Sequence, residues 1–203
     1  MIIGILALQG DVEEHKKILK QLDVKHILVK CKNDMKDING LIIPGGESSV
    51  LKSILLRDNE LLEELKKFIC KQKKPVFATC GGAILLCRTL ITKAIANKGF
   101  IPSIDCEMIK NLHGSRINNF TESINIKTIG WYDCVFIRQP IINSIGNCKI
   151  WAHHCDSVIG DTPIMISNQN VLMCTFHPEL INPKIHKLFI NKFVKKENHN
   201  IEV

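Results

Sequence analysis

Aromatic residues are scarce in this chain of 203 residues, where Phe, Trp and Tyr together make up 5%. The formal net charge is +7, but the lysines are dispersed over predicted helix faces and the polar end of the chain. A nucleic-acid surface combines a basic stripe with stacking rings, and the sequence shows no such stripe. We therefore interpret the basic charge as a solvated lysine-rich surface.

Long apolar runs and internal repeats are also missing. No apolar stretch reaches the ~20 residues that a membrane-spanning helix needs. The first residues, MIIGILALQGD, have neither a basic leader nor a small-residue cleavage site, so they predict a strand and not a signal peptide. With a hydrophobic fraction of 45%, the chain is expected to form one cytoplasmic domain over residues 1–196, followed by a frayed polar tail at 197–203.

Cysteine is abundant, with nine in the chain, but the number is odd and no CxxC pair occurs. This pattern excludes a zinc ribbon and a thioredoxin-type motif. Most of the cysteines lie inside apolar runs, such as Cys134 before VFI and Cys174 after VLM. They are expected to be core residues in a reducing compartment. Cys80 is placed differently, between a short apolar strand and two glycines in VFATCGGAILL.

Apolar strands alternate with amphipathic helices in the first half of the chain. Strands are predicted at 2–8, 25–30, 40–44 and 75–79, and helices at 12–22, at 58–72 with Asp58 as N-cap, and after Cys80. This alternation predicts a doubly wound α/β sheet, in which ligands bind beyond the carboxyl ends of the strands. The second half is predicted to extend the sheet with mixed or antiparallel strands, then to form a final helix at about 184–195. The stretch 97–120 has the least pattern and is expected to be a mobile loop.

Three stretches with unusual chemistry fall at predicted strand ends: LQGD (8–11), PGGESS (44–49) and TCGG (79–82). A residue at a sharp strand–turn–helix junction is typical of an exposed nucleophile at the sheet edge. The helix amides also favour a thiolate there. On this fragment alone, however, packing as a small hydrophobe is the more common role of a free cysteine such as Cys80.

The candidate base for Cys80 is His177 in TFHPEL (175–180). A strand delivers this histidine, Pro178 ends the ladder, and Glu179 follows at a spacing that lets its carboxylate orient the imidazole. Alone, HPE is a weak signal, because a histidine at a strand end is more often merely exposed or hydrogen-bonded. Together, Cys80 and His177, each at the end of a strand, favour a Cys–His–Glu triad.

Acyl transfer also requires preorganised N–H donors for an oxyanion. In PGGESS, Gly45 and Gly46 permit conformations that turn backbone amides toward a ligand, and the amide of Gly81 is the second candidate donor. The alternative is a tight strand-to-helix turn capped by Ser48 or Ser49. Glycine pairs are so common in turns that, by themselves, they favour this alternative.

Five motifs occur in one order along the chain: GILALQGD, LIIPGGESS, TCGG, FIRQP and TFHPEL. From residue 2 to about 195 they resemble the glutaminase subunit of pyridoxal 5′-phosphate synthase, the PdxT family of class I glutamine amidotransferases. The Cys…His-x-Glu pattern is shared by the whole class, whereas LQGD, GGES and FIR narrow it to this branch. The resemblance implies a three-layer, flavodoxin-like α/β domain with a mixed, mostly parallel central sheet.

The resemblance also implies roles for individual residues. Cys80 would be the nucleophile, His177 the general base and then acid, and Glu179 the orienting carboxylate. The other implied site residues are the glutamine-binding Gly46, Glu47 and Ser48, the second substrate contact Ile137 and Arg138, and the oxyanion-hole residues Gly46 and Gly81, with Gln9 in support when the partner docks. The arginine suits a carboxylate group of the substrate.

One stretch departs from the family pattern. Where the family usually has Arg-Asn-x-(aromatic)-Gly-Arg-Gln, this chain has KNLHGSR at 110–116. Lys110 stands where an arginine is expected to bind substrate, and lysine keeps the charge but loses the bidentate fork. We expect the change to affect the affinity for glutamine more than the reaction.

The resemblance implies hydrolysis of L-glutamine to L-glutamate and ammonia, with no metal or cofactor. The ammonia would pass to the synthase subunit, of the PdxS family, in a large hetero-oligomer that makes pyridoxal 5′-phosphate (vitamin B6). Two alternatives stay open. One is the glutaminase subunit of another synthase, such as the imidazole glycerol phosphate synthase type, against which LQGD argues. The other is a catalytically weak regulatory subunit, supported only by the changes at 110–116.

The remaining histidines are not predicted to carry chemistry. HHCD (153–156) has metal-ligand residue types, but adjacent side chains on a strand point to opposite faces, so a surface is expected there and not a metal site. His15 and His186 fall in predicted helices and are expected to be ordinary, partly exposed residues.

Overall fold

The computed structural model describes residues 1–110, 119–156 and 160–195. Its strands are β1 (Ile3–Leu6), β2 (His26–Val29), β3 (Gly40–Ile43), β4 (Val76–Thr79), β5 (Cys87–Thr92), β6 (Ile95–Lys98), β7 (Ile104–Ile109), β8 (Phe120–Ile126), β9 (Gly130–Phe136), β10 (Ile141–Ile145), β11 (Lys149–Asp156), β12 (Gly160–Ser167) and β13 (Val171–Cys174). Its α-helices are α1 (Val12–Gln21), α2 (Ser48–Arg57), α3 (Asn59–Lys66), α4 (Cys80–Leu86) and α5 (Lys184–Phe189). None of the helices in these ranges is long and apolar enough to cross a bilayer. The predicted tail at 197–203 lies outside the described residues.

The central sheet has seven strands in the order β11-β12-β13-β4-β3-β1-β2. The strands from β13 to β2 are parallel to one another, whereas β12 and β11 are added antiparallel. The sheet is therefore mixed and mostly parallel, as the sequence predicted. Each of the first four strands lies at a position predicted from its apolar run.

Both faces of the central sheet are covered, which gives the molecule three layers. On β3, Leu41 and Ile43 enter one core together with α2, α3 and α4, while Ile42 enters the opposite core with α1 and α5. All three side chains are at most 1% exposed. Burial on both faces explains why this strand is continuously apolar and does not alternate with polar residues.

The second half of the chain differs from the single extended sheet that was predicted. Only β11, β12 and β13 join the central sheet, while β10-β7-β5-β6 form a second sheet and β8-β9 a separate ribbon. The predicted loop at 97–120 was wrong for the part that contains β7, which pairs parallel with β5 and antiparallel with β10. Residues 111–118 lie outside the described residues.

Local capping determines where two of the helices begin. Asp58 is the N-cap of α3, as predicted, and its side chain accepts a hydrogen bond from the amide of Leu61 at 3.0 Å. Helix α2 follows PGGESS, as in the alternative strand-to-helix turn, but its N-cap is Glu47, which accepts from the amide of Ser49 at 3.2 Å. The suggested cap by Ser48 or Ser49 was therefore wrong, since both lie inside the helix.

Candidate active site

Three loops meet at the carboxyl edge of the central sheet, after β1, β3 and β4. A Cβ atom on Gly10, where φ is +92°, would lie 1.7 Å from the carbonyl oxygen of Gly45. A Cβ atom on Gly81 would lie 1.9 Å from the carbonyl oxygen of Gly46. Only glycine permits such close backbone approach. The glycines thus bring together the three motifs that were predicted to share this edge.

Cys80 occupies a strained turn between β4 and α4. It is the first residue of the helix and has a φ of +43°, a left-handed conformation that residues with a side chain rarely adopt. The strand–turn–helix presentation matches the predicted nucleophile. The expected exposure was wrong, because the side chain is only 6% exposed. The carbonyl oxygen of Ile137, 3.7 Å from Sγ, lies over the thiol.

Several other cysteines are core residues, as predicted. Cys87, Cys106, Cys134 and Cys174 are buried. Burial raises the pKa of Cys87 and that of Cys134 to about 12, so these thiols stay protonated and unreactive at neutral pH. Cys31 and Cys155 are exposed and do not fit the prediction.

His177 and Glu179 reach the same edge from β13, which pairs with β4 in the sheet. His177 Nδ1 lies 2.8 Å from Glu179 Oε1, and both residues are 4% exposed. The backbone N–H of His177 donates to the carbonyl of Val135 at 2.9 Å, which fixes the turn. Because β4 and β13 are neighbours, Cys80 and the His177–Glu179 pair leave the sheet side by side.

Asp11 is a second carboxylate at His177, and this role was not predicted. Its Oδ2 lies 3.2 Å from His177 Nδ1. Ligand atoms of Asp11, His177 and Glu179 all lie within 4.8 Å of one another. Such a group could hold a metal ion, but the hydrogen bonds of Nδ1 already account for its arrangement. The signal in the sequence was the acidic end of LQGD, a motif to which only Gln9 had been assigned a role.

The electrostatics of the site favour a protonated His177. Burial lowers the pKa of His177, but contacts with Asp11, Cys80 and Glu179 outweigh it and raise the pKa to about 12. The Nε2 atom makes no hydrogen bond of good geometry within the described part of the chain. Catalytic hydrogen bonds are often loose before substrate binds. The arrangement therefore suits an imidazolium beside a thiolate.

The residues expected to bind glutamine also lie together. Lys110 Nζ hydrogen-bonds to the Glu47 carboxylate and, at 2.9 Å, to Ser48 Oγ. The hydrogen bond from Lys110 is the main cause that lowers the pKa of Glu47 to about 2. Gln9 Oε1 accepts from the amide of Glu47 at 3.2 Å. Lys110 thus contacts the GGES loop directly, although the rest of the divergent stretch, 111–116, is outside the described residues.

Ile137 and Arg138 directly follow β9. The carbonyl of Ile137 contacts the Cys80 thiol, as described above, while Arg138 is exposed and has a φ of +47°. This positive φ is a left-handed conformation that residues with a side chain rarely adopt. Ile137 is therefore at the proposed nucleophile, and the substrate contact of Arg138 stays a prediction.

The predictions for the two groups of histidines outside the site agree with the structure to different degrees. His153 is exposed beside Asp161, with 3.1 Å between Nδ1 and Oδ2, whereas His154 is buried with Nε2 2.9 Å from Glu122 Oε2. The two side chains lie on opposite faces of β11, as predicted for HHCD, but the expected surface position was wrong for His154, which is buried. The expectation of partial exposure for His15 and His186 was wrong, because both are 0% exposed.

Comparison with known proteins supports the family that the motifs predicted. The SNO glutamine amidotransferase family model matches residues 5–195. Pyridoxal 5′-phosphate synthase subunit PdxT of Thermosipho africanus is 36% identical, with 97% of this chain and 100% of that protein aligned. The PdxT subunit of Streptococcus pneumoniae is 35% identical, again over 97% and 100% of the two chains.

A solved structure described as a glutamine amidotransferase superimposes on this chain with a TM-score of 0.82. The two are 28% identical, and the match covers 94% of this chain and 97% of the other. The fold class and the family predicted from the motifs are both confirmed. This chain belongs to the SNO glutamine amidotransferase family.

Proposed function

We propose that this chain is the glutaminase subunit of a pyridoxal 5′-phosphate synthase and hydrolyses L-glutamine to L-glutamate and ammonia. The observation that carries the proposal is the convergence of Cys80 with the His177–Glu179 pair at the ends of two neighbouring strands. Membership of the family and the names of its relatives support the same activity. The glutaminase domain would comprise residues 1–196.

The proposed reaction proceeds through a thioester on Cys80. The Cys80 thiolate attacks the side-chain amide carbon of glutamine, and the carbonyl π electrons move to the oxygen. His177, which carries the proton, donates it to the amide nitrogen as the carbon–nitrogen bond breaks, and ammonia leaves. His177 then takes a proton from water, whose oxygen attacks the thioester. The carbon–sulfur bond breaks, and glutamate and the Cys80 thiolate are released.

The developing oxyanion would be held by backbone amides. We assign this role to Gly46 and Gly81, whose loops touch each other beside Cys80, with Gln9 in support through its hydrogen bond to the glycine loop. Loss of one such donor typically lowers kcat by roughly 10²–10³-fold. Glu179 would keep the imidazole oriented, and Asp11 would assist it at Nδ1.

Substrate specificity would come from groups around the entrance. Glutamine carries an ammonium and a carboxylate beyond its reacting amide. The ionised Glu47 and the hydroxyl of Ser48 suit the ammonium end, and Arg138, next to Ile137, suits the carboxylate. Lys110 adds a positive charge at the same loop, without the bidentate geometry of an arginine.

Ammonia at neutral pH is mostly protonated and is then a poor nucleophile, which is a physical reason to produce it next to its consumer. The proposed consumer is a synthase subunit of the PdxS family, joined to this chain in a large hetero-oligomer in the cytoplasm. Every step above uses side chains and backbone of this chain, so the proposed mechanism includes no metal or cofactor.

The test is ammonia release from L-glutamine, measured with and without an added PdxS-type synthase subunit. We expect release to rise sharply with the partner, to disappear in Cys80→Ala, and to persist in Cys155→Ala, which removes an exposed cysteine on β11. Full activity in Cys80→Ala would overturn the proposed nucleophile. No release by the unaltered chain with this partner would instead favour a regulatory subunit or the glutaminase subunit of another synthase.

A further inference from the structure

A buried histidine, His15, lies against the oxygen of Glu179 that does not bind His177, and a second buried histidine, His186, contacts His15. His15 in α1 and His186 in α5 are 171 residues apart, yet His15 Nδ1 lies 2.8 Å from His186 Nε2. His15 Nε2 lies 3.6 Å from Glu179 Oε2 and 3.4 Å from Thr79 Oγ1. A continuous row of polar atoms therefore leads from α5 to the proposed triad.

Both imidazoles are expected to be neutral. Burial lowers the pKa of His186 to about 3, and burial followed by the neighbouring His186 lowers that of His15 well below its ordinary value. Phe77 closes the apolar side of the pair, since its ring stands edge-on to both imidazoles, at 87° and 89°. Two neutral imidazoles in contact through one nitrogen each share a single proton between those nitrogens.

This sharing leaves two tautomeric arrangements. In the first, His186 Nε2–H donates to His15 Nδ1, and His15 Nε2–H points toward the Glu179 carboxylate and Thr79. In the second, the proton lies on His15 Nδ1, so the lone pair of Nε2 faces the carboxylate oxygen. The remaining nitrogen, His186 Nδ1, is buried and has no partner in the described part of the chain.

The first arrangement is more stable for two reasons. It sets an N–H dipole, rather than a lone pair, against the negative charge of Glu179. It also leaves His186 Nδ1 as a bare lone pair, whereas the second arrangement would bury an N–H without an acceptor. Glu179 Oε2 is itself buried without a hydrogen bond of good geometry, and His15 Nε2, which hydrogen-bonds to Thr79 Oγ1, is the N–H dipole that faces it at 3.6 Å.

We propose that His186 and His15 form a neutral relay whose last N–H keeps Glu179 ionised and oriented toward His177. His15 is then a positioning residue, which acts on the reaction through Glu179. This inference rests on the proposed glutaminase function. The titratable groups around Glu179 are His177, Asp11, His15, Tyr132 and Cys174. Of these, His15 is the neutral N–H donor facing Oε2.

The activity test compares three variants in the presence of the synthase subunit. His15→Phe keeps a ring but removes the donor, and His15→Gln offers an amide N–H in its place. Phe189→Leu is the matched control, because Phe189 is 0% exposed and its ring lies 5.6 Å from that of Phe77, but it carries no polar atom. The kcat and KM for glutamine are measured from pH 5 to pH 9.

We expect His15→Phe to lower kcat by roughly tenfold, less than the loss of a full hydrogen bond to a charged group would cause, with little change in KM. Loss of the donor makes Glu179 easier to protonate, so activity should fall away at a higher pH on the acid side. His15→Gln should restore part of kcat and should bring the dependence of activity on pH closer to that of the unaltered enzyme. Phe189→Leu should not change the pH at which activity falls on the acid side. The proposal would be overturned if His15→Phe had the same kcat as Phe189→Leu and lost activity at the same acidic pH.

A second measurement does not depend on activity or on the folding of a variant. The ¹⁵N spectrum of the unaltered protein reports which nitrogen of each histidine carries the proton. We expect both His15 and His186 to be protonated at Nε2 and bare at Nδ1. A proton on His15 Nδ1 would overturn the relay even if glutaminase activity is found. Absence of activity with the expected tautomers would count against the proposed function and not against the tautomer assignment.

Discussion

Replacement of His186 by Phe should make the protein less sensitive to mild acid. His186 is fully buried, and burial lowers its pKa to about 3, while in the unfolded chain its pKa is about 6.5. The folded-state pKa is the depressed one, so the contribution to stability is fully present above pH 6.5 and is lost progressively as the pH falls toward 3. In that range the unfolded chain binds a proton that the folded protein does not.

The size of the effect follows from the proton that unfolding takes up. Between pH 7 and pH 5, a histidine with these two pKa values reduces the free energy of unfolding by about 2 kcal/mol. His15 has a lowered pKa in the same cluster and therefore contributes in the same direction. The loss at His186 alone is a substantial part of the ~5–15 kcal/mol that stabilises a typical domain. His177 contributes with the opposite sign, because it is already protonated in the folded state while the unfolded chain takes up its proton in this range, and it offsets about 1 kcal/mol of the loss.

The assay is urea denaturation at pH 7, pH 6 and pH 5. The free energy of unfolding of His186→Phe should fall by about 2 kcal/mol less than that of the unaltered protein between pH 7 and pH 5. The control Phe189→Leu should be less stable at every pH, with an unchanged dependence on pH. A curve for His186→Phe that runs parallel to that of the unaltered protein would show that the buried imidazole takes up its proton without unfolding, which would refute the reasoning.

Three further changes test the site and the fold. Gly81→Ala should abolish partner-stimulated ammonia release, because its Cβ would lie 1.9 Å from the Gly46 carbonyl oxygen; activity within twofold of the unaltered enzyme would contradict this. Lys110→Met should raise KM for glutamine by roughly tenfold with a smaller effect on kcat, since it removes one charge–charge contact; an unchanged KM would remove Lys110 from the substrate site. Asp58→Ala should lower the free energy of unfolding by about 1 kcal/mol through loss of the N-cap of α3, and urea denaturation showing no change would rule out that contribution.

Apart from α2, the strands and helices of the central sheet in the first half of the chain could be predicted because each is defined by its own residues. The apolar runs of β1, β3 and β4 are buried on both faces, so their composition alone identifies them, and the intervening helices have clear apolar faces. The strands of the second sheet are different. In β5, Arg88 is exposed and Cys87 is buried, and the strand pairs with β7 across a segment that carries no strand pattern. Such pairings depend on tertiary contacts, which a local pattern does not contain.

The residues of the site likewise divide into those that a local pattern predicts and those that depend on tertiary contacts. Cys80 and His177 could be predicted because each ends an apolar strand, and neighbouring parallel strands bring their ends together. Asp11 and His15 are four residues apart across the start of α1, a spacing that places them on one helix face and could have suggested a shared role. The burial of His186 could not be predicted, because its partner His15 is 171 residues away and nothing in α5 distinguishes it from a surface histidine.

Burial in an apolar core explains both the proposed reactivity of the site and the expected loss of stability in mild acid. Burial raises the pKa of Glu179, so an ionised carboxylate at this position needs donors on both of its oxygens. His177 faces one oxygen as a donor, and the neutral His15 can face the other with its N–H without placing a second positive charge in the apolar core. Replacing both His15 and His186 by Phe should therefore remove most of the acid sensitivity and weaken the glutaminase at the same time. Stability below pH 6.5 and activity would then change in opposite directions, as expected when a buried polar group is retained for function and not for folding.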